Sequence, residues 1–472
     1  MSINVLFVVI DALRPDVVGC YGYPRNITPN IDKLAKEGVL FEDVYSCSNA
    51  TDPSITSIFS GKYPQSHGII NHAGRVTQEE IVNFNNSGTI LLSEILSQRG
   101  YATFAVDWLD RWHKRGFDFY FRDYEKTRTR KIRAFIRHNF PYLAKTYSKI
   151  KKLRKPERKV PHEDASEVTD VAIKLIEENF RKDFFLFIHY WDTHTPYSSP
   201  EKFANKLQKG IHSGLSLEEL LRKIPKNSKF REVFSDLMGD AMSADDVIAR
   251  YLGAVNFVDS QIGRLTDSLH SLGIFDKTMI IITSDHGESL TEHEIYFDHH
   301  GLYDVSLHVP LICHFPHFSS KTPKIRGLIQ NVDILPTILD ILEINREPFH
   351  CDGRSFLPLM LGKKRRIRSS IYAEESFTER KMAVRTENYK YIEAFSEENA
   401  VCRYCNVIHG GVRELYDLNR NPEETHNLVQ EQLNLRRKLQ KILDNWNHYF
   451  QTSLEKTRIG VKIEKLKKAK RI

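Results

Sequence analysis

Short apolar runs punctuate the chain, and several of them stop on an acid or a histidine. NVLFVVIDA from Asn4, ATFAVDW from Ala102, DFFLFIHYWD from Asp183, TMIIITSDHG from Thr278 and VPLICHFP from Val309 are rich in β-branched and aromatic residues and read as buried strands. Between them lie segments of helical period: TPNIDKLAKEGV, TILLSEILSQRG, ASEVTDVAIKLIEENF and DVIARYLGAVNFVDSQIGRLTDSLHSLG. This alternation predicts an α/β fold, a mostly parallel sheet covered by helices on both faces. Ligands bind such sheets outside the carboxyl ends of the strands. Asp11, Asp192 and Asp285 all fall at or just after such ends, so three acids distant in sequence are expected at one rim. From about Cys351 the texture shifts to shorter strands in RSSIYAEES, KMAVRTENYKYIEA and GVRELYDLNRNPEE, followed by a helix from Leu433 to Phe450. The pattern divides the chain into a body over 1–348, a smaller α+β subdomain over 349–450 and a tail over 451–472.

With 472 residues and 41% hydrophobic content, the chain is long enough for a large core. Its net charge of +7 is unevenly spread. Residues 125–160 carry +12 and the tail from Glu455 carries +6, so the remaining body is acidic at −11. The first basic segment reads as a helical insertion, with Ile132, Phe135, Ile136, Leu143, Tyr147, Ile150 and Leu153 at near-helical spacing, interrupted by Pro141. Both basic segments have two readings, a solvated face or an attachment to an anionic membrane surface that brings the protein to a lipid-linked or glycan substrate. No base-reading motif accompanies the charge, so no nucleic-acid partner is expected. The opening MSINVLFVVIDALRPD lacks a basic n-region and a cleavage site, and no apolar run reaches the ~20 residues of a membrane span. The six cysteines are scattered and form no disulfide framework. A cytoplasmic protein, peripheral on the inner membrane face if the basic segments bind lipid, is the expectation.

Candidate chemistry is densest in TSDHGESLTEHEIYFDHHGLYD, Thr283 to Asp304. Asp285 and His286 follow a strand, Gly287 permits a tight turn, and Glu292, His293, Asp298, His299 and His300 follow. An adjacent Asp and His at a strand end present one oxygen and one nitrogen to the same ion, a donor set that suits Mn, Zn or Fe better than Ca. HYWDTHTPY repeats the theme with Asp192 and His194, as substrate contacts or a second metal site, or as a turn cap and a backbone-satisfied imidazole. Asp11 alone is weak, since a strand followed by an N-cap looks the same. SNATDPSITSIFSG offers Ser48, Thr51 and Ser54, with Cys47 just before, as nucleophiles of different chemistry. Cys402-x-x-Cys405 with His409 is half a zinc site. Without a second pair at suitable spacing, two partly buried thiols in a loop are the favoured reading. DWLDRWHKR, Asp107 to Arg115, is either a substrate-cleft lining or a solvated loop.

Taken together, NVLFVVIDALRPDVVGCYG, TPNIDKLAKEGVLFEDVYS, DPSITSIFSGKYPQSHGI, SDHGE, LYDVSLHVPLI, NVDILPTILDIL, AVRTENYKYI and ELYDLNRNPEETHNL resemble, in order, the sulfatases and more broadly the alkaline phosphatase superfamily. The resemblance spans about Asn4 to Leu428 and implies that fold, with metal and nucleophile on the carboxyl rim. The departures bear on subclass. Sulfatases carry Cys-x-Pro-Ser-Arg, whose Cys becomes the formylglycine that attacks sulfur. Pro53-Ser54 in register with that Pro-Ser places Thr51 at the Cys position and Ile55 at the Arg position, so no formylglycine is expected. Ala12 stands where a second calcium-site acid belongs, and His286 where many sulfatases have Asn.

Threonine beside an Asp-His pair resembles the superfamily's phosphodiesterases, phosphonate monoester hydrolases and phosphoglycerol or phosphoethanolamine transferases. The resemblance implies one divalent ion, Mn or Zn rather than Ca, at Asp11, Thr51, Asp285 and His286. It implies Thr51 as nucleophile, with His194, His299 and His300 contacting substrate oxygens or protonating the leaving group. A second ion at Asp192, His194 and His299 is compatible with the spacing. The leading expectation is therefore a metal-dependent phosphoester hydrolase or transferase acting on an anionic ester. A sulfatase without formylglycine and a non-catalytic binding protein that retains the fold are the alternatives.

Overall fold

The structure, a computed structural model, describes residues 3–121, 164–205, 207, 214–316, 324–347 and 349–469. The basic segment 125–160 lies outside the described residues. The main sheet is built from β1 (Asn4–Ile10), β2 (Val39–Phe41), β4 (Ala102–Val106), β5 (Phe119–Tyr120), β6 (Phe184–Tyr190), β7 (Thr278–Thr283), β8 (Leu311–His314) and β9 (Lys324–Ile325). Two further short strands, β3 (Val44–Tyr45) and β10 (Ile329–Gln330), pair with each other. Among the described residues the main sheet runs β5-β4-β6-β1-β7-β8-β2-β9. The strands from β5 to β7 are parallel; β8 runs antiparallel to both β7 and β2. The strands expected from the apolar runs are all present, and the sheet is mostly parallel.

Both faces are covered, and the period of two in β1 shows how. Leu6, Val8 and Ile10 face a core shared with α1 (Pro29–Glu37), α3 (Ala165–Asn179) and α4 (Ala244–Ser271). Val5, Phe7 and Val9 face the opposite core, which includes Ile55, Ile58 and Phe59 of α2 (Thr51–Ser60). Every residue of β1 is buried, which is why the strand reads as a continuous apolar run rather than an alternating one. Each of these side chains contributes about 1.5–3 kcal/mol of burial. That anchorage holds Asp11, the first residue past the strand, at a fixed place on the rim.

The C-terminal subdomain is an antiparallel sheet of β11 (Ser370–Glu375), β12 (Lys381–Thr386), β13 (Tyr389–Ala394) and β14 (Arg413–Asp417). On one face Met382, Val384, Tyr391 and Leu415 pack on Leu439, Leu443, Trp446 and Phe450 of α5 (Leu433–Ala469). On the other, Ile371, Ala373, Ala383 and Ile392 pack on Ile295, Leu302, Tyr303 and Leu307. The loop bearing the histidine-rich motif is thus clamped between the two sheets. The final helix continues past Phe450 into the basic tail. Among the described residues no helix is long and apolar enough to cross a membrane.

Candidate active site

Asp11 and Asp285 end adjacent parallel strands and are fully buried side by side. The turn after β1 is held by Ala12 in a left-handed conformation at φ 54°, an uncommon one for a residue with a Cβ. The Ala12 amide donates to Asp285 Oδ1 at 3.3 Å and the Leu13 amide to Ser284 Oγ at 2.9 Å. His286 Nδ1 donates to the Gly287 carbonyl at 2.8 Å. A carbonyl only accepts, so the neutral ring carries its bare lone pair on Nε2. That Nε2 lies 3.2 Å from Thr51 Oγ1, 3.3 Å from Asp285 Oδ2 and 3.8 Å from Asp11 Oδ1.

His189, inside β6, joins this group. Its Nδ1 lies 2.9 Å from Asp107 Oδ1, and Asp107 is held in turn by His113 and the Tyr120 hydroxyl. Its Nε2 points at Asp11 Oδ2, 3.4 Å away. Asp11, His189 and Asp285 each bring one ligand atom to within 4.8 Å of the others. Asp11 Oδ1 and Oδ2, Asp285 Oδ2 and His189 Nε2 are all buried without a hydrogen-bond partner among the described residues. Buried carboxylate oxygens converging on an imidazole nitrogen in a dry site are costly unless positive charge lies among them, either an ion or the proton that Asp107 and Asp11 favour on His189 by raising it against burial to about 10. The residues present therefore fit a divalent ion. An imidazole steadied by a carboxylate behind it is the usual arrangement around such ions. The mixed oxygen and nitrogen donors match the set read from Asp285 and His286.

Thr51 opens α2, with Ala50 at the N-cap; the next amide, Asp52, donates to His72 Nδ1 at 3.3 Å, and Pro53 has none to offer. The other nucleophile candidates are occupied elsewhere. The Ser54 hydroxyl donates to the Asp285 carbonyl at 2.6 Å and receives Asn331 Nδ2 at 2.9 Å. Ser48 is buried and bridges to Glu374. Cys47 packs with Tyr63 and Val332, and burial pushes its thiol up to about 12. Ile55 is sealed in the core, where an arginine would be stranded.

Three imidazoles and a guanidinium connect to this group through His286 and Asp52. His299 stacks on His286 with ring centres 4.2 Å apart and donates from Nδ1 to the Asn49 carbonyl at 2.5 Å. The Asn49 side chain ties back to the His299 and Gly301 carbonyls. His194 and His72 lie 5.7 and 6.5 Å from His299. Asp52, buried beside Thr51, holds His72 at 3.1 Å and Arg111 at 3.4 Å. The imidazoles are tuned apart. Burial and the neighbouring His286 hold His299 well below its ordinary pKa; for His194 burial acts downward, but Asp11 and Glu288 outweigh it and raise the ring.

The structure separates His299 from His300. His300 turns away, with Nδ1 3.0 Å from Asp298 and its ring beside Tyr404 and His409. Asp192 is also apart. Its Oδ1 receives the Ala165 amide at 3.0 Å at the start of α3, and burial pushes its carboxyl up to about 7. The geometry does not assemble Asp192, His194 and His299 into one site. Glu292 pairs with Arg14 at 2.7 Å and His293 stacks on Tyr303, both away from Thr51. Asp107 and Arg111 belong to the DWLDRWHKR stretch read as a cleft lining or a solvated loop, and the structure puts both beside the site; nothing in the sequence marks His189, Asn49 and His72 as site residues. Gly287 is required by space: a Cβ there runs into the Val305 carbonyl, while its amide donates to Ser306 at 2.8 Å. Gly287→Ala is expected to cost about 1–3 kcal/mol in denaturant unfolding and to lower turnover, because the displaced turn carries Asp285 and His286.

Residues 3–344 match the family model described as Sulfatase, and residues 291–448 the one described as N-sulphoglucosamine sulphohydrolase, C-terminal. The uncharacterized sulfatase YidJ of Escherichia coli K12 is 24% identical over 449 residues, covering 91% of this chain and 83% of its own. A structure solved in complex with its substrate D-glucosamine-2-N,6-O-disulfate aligns with a TM-score of 0.70 at 20% identity, covering 96% of this chain and 99% of the other. The phosphonate monoester hydrolase of Agrobacterium radiobacter aligns with a TM-score of 0.66 at 20% identity, covering 95% and 96%. These two likenesses concern the fold. The matched family model spans well over half of the sequence, from the first strand through the histidine-rich loop, and the chain belongs to the sulfatase family.

Proposed function

We propose that the protein is a metal-dependent hydrolase or transferase that cleaves a phosphodiester or phosphonate monoester through Thr51. The observation that carries this reading is the Thr51 hydroxyl at 3.2 Å from His286 Nε2, beside the buried Asp11–Asp285 pair, with Cys47 sealed away and Ile55 in the core. Asp11, Asp285, His286 and Thr51, joined by His189, would hold the ion. A divalent ion held there, Mn or Zn on this donor set, would neutralise the carboxylates and lower the pKa of the hydroxyl. Thr51 Oγ1, its proton released to solvent as the hydroxyl ionises, attacks phosphorus as the bond to the leaving oxygen breaks, and His194 gives that oxygen its proton. Water or an acceptor alcohol attacks the phosphothreonine, returns its proton to His194 and frees Thr51. His72 and Arg111 would face the non-bridging oxygens.

Sulfate-ester cleavage is the second reading, favoured by the match of residues 291–448 to a sulphohydrolase model. Formylglycine hydrate carries a second hydroxyl that expels sulfate from the intermediate; threonine carries one and leaves release to slower attack at sulfur. An anionic glycan or lipid-linked ester fits either reading, as does recruitment by the basic segments to an anionic membrane surface. A panel of aryl phosphodiester, phosphonate and sulfate esters with Mn or Zn tests the choice. Dominant phosphodiester or phosphonate turnover is expected, and dominant sulfate turnover overturns it.

His194 yields a pH prediction. Asp11 and Glu288 raise it above its ordinary value against the effect of burial, so the ring holds its proton to higher pH than a free imidazole; an acid role persists below that pKa and is lost as pH rises through it. His194→Ala is expected to abolish the alkaline fall in kcat and to lower kcat by about 10²–10⁴ on alkyl esters. The loss is expected to be much smaller on p-nitrophenyl esters, whose leaving group needs no proton. Equal losses on both remove the acid role.

A further inference from the structure

We infer that Cys402, Cys405 and His409, with His300 as the fourth group, form a structural zinc site that fastens the active-site loop to the C-terminal subdomain. Cys402, Cys405 and His409 are buried, and one ligand atom from each lies within 4.8 Å of the others. Cys405 Sγ is 3.0 Å from His409 Nε2. In a tetrahedral zinc site with Zn–S of about 2.3 Å and Zn–N of about 2.0 Å, sulfur and nitrogen sit about 3.5 Å apart. The group therefore needs only small adjustments to close on an ion. The two cysteines lie in a tight hairpin closed by the Val401–Ile408 bridge, where the Cys402 amide donates to Val407 at 2.8 Å and the Cys405 amide points at Cys402 Sγ, 3.5 Å away.

The imidazoles are oriented from behind. His409 Nδ1 donates to the His293 carbonyl at 3.2 Å, which leaves Nε2 bare toward Cys405. The His409 carbonyl is itself held by Lys381 Nζ at 2.8 Å. His300 lies between Asp298, 3.0 Å from its Nδ1, and the Cys402 thiol, with which its ring interacts. The second ligand pair missing from the local sequence is thus split: His409 follows the cysteines, and His300 comes from a loop about a hundred residues earlier. A small cavity lined by Asp298, His300, Cys405 and His409 opens beside the cluster and gives an ion a route in. His300 adjoins His299, which stacks on His286, so the ion would set the position of His299 from outside the reacting centre. His300 is a positioning residue in this arrangement.

The test uses the full chain in an Asp285→Asn background, so that bound zinc reports this cluster and not the catalytic cradle. One equivalent of zinc is expected there, lost on adding Cys405→Ser. Cobalt loaded in place of zinc is expected to give the thiolate-to-cobalt charge-transfer band in the near ultraviolet, which oxygen and nitrogen donors do not produce. His300→Ala is expected to keep that band while weakening zinc affinity about tenfold or more. Should the cysteine variant fail to fold, the cobalt spectrum of the unsubstituted cluster decides. Zinc content indifferent to Cys405→Ser, absence of the thiolate band, or a Cys402–Cys405 disulfide in the protein as isolated overturns the site.

Discussion

Replacing Thr51 with alanine is expected to lower kcat on a phosphodiester by about 10³–10⁶, the range seen when a covalent nucleophile is removed. The fold has no reason to suffer. Thr51 is the first residue of α2, alanine is the better helix former, and the preceding Ala50 shows that no side-chain cap is lost. What disappears is the Oγ1 that faces His286 Nε2 at 3.2 Å. Thr51→Ser keeps that oxygen and is expected to retain much of the rate, whereas Ser54→Ala is expected to lose stability more than chemistry, because its hydroxyl holds the Asp285 carbonyl and Asn331. Quenching the unsubstituted enzyme during turnover and sequencing the Thr51 peptide by mass spectrometry is expected to find phosphothreonine. Full activity of Thr51→Ala, or a phosphoryl group on another residue, would falsify the nucleophile assignment. Activity lost on phosphoesters but kept on sulfate esters would divide the two chemistries.

The fold was legible because the strands that build it are buried on both faces. β1, β6 and β7 appear as largely apolar runs, and the first acid after β1 or β7 marks the rim. β2 was harder to see, since three residues packed directly after α1 leave no periodicity of their own. Asp11, Thr51, Asp285, His286, His194 and His299 could be read from the same rim logic and from family register. Asp192 shows the limit of that logic: an acid at a strand end serves the amide at the start of a neighbouring helix as readily as an ion. His189 was hidden for the opposite reason. It sits within β6, and its orientation depends on Asp107, which no local spacing connects to it. His299 and His300 are adjacent and chemically identical. Only the packing of their loop between two sheets sends one to His286 and the other to Cys402.

Asp285→Asn is expected to stabilise the chelator-treated protein and to destabilise the metal-loaded one, reversing the order of the two proteins. The reversal follows from the two buried carboxylates. Burial and the charge of Asp11 raise the Asp285 carboxyl above its ordinary value, so without an ion the folded protein resists ionising a group that the unfolded chain ionises freely. Its contribution is intact at pH below the ordinary carboxylate range and is lost as pH rises through the raised pKa. An amide at position 285 removes that penalty at neutral pH. The same substitution removes a charged oxygen from the cation cradle. The unsubstituted protein is expected to gain about 2.7 kcal/mol when the ion is supplied at 100 times its dissociation constant, while Asp285→Asn gains little and loses turnover at least about a hundredfold. Any contribution from the cysteine cluster is common to both proteins and cancels in the difference. Denaturant unfolding at pH 7 and pH 4, each with chelator and with Mn or Zn, measures all of it. The expected order is variant above unsubstituted protein in chelator at pH 7, a narrower gap at pH 4, and the reverse order with metal. If the two proteins respond to metal alike, Asp285 does not hold the ion, and the convergence of Asp11, His189, His286 and Thr51 has to be explained by substrate alone.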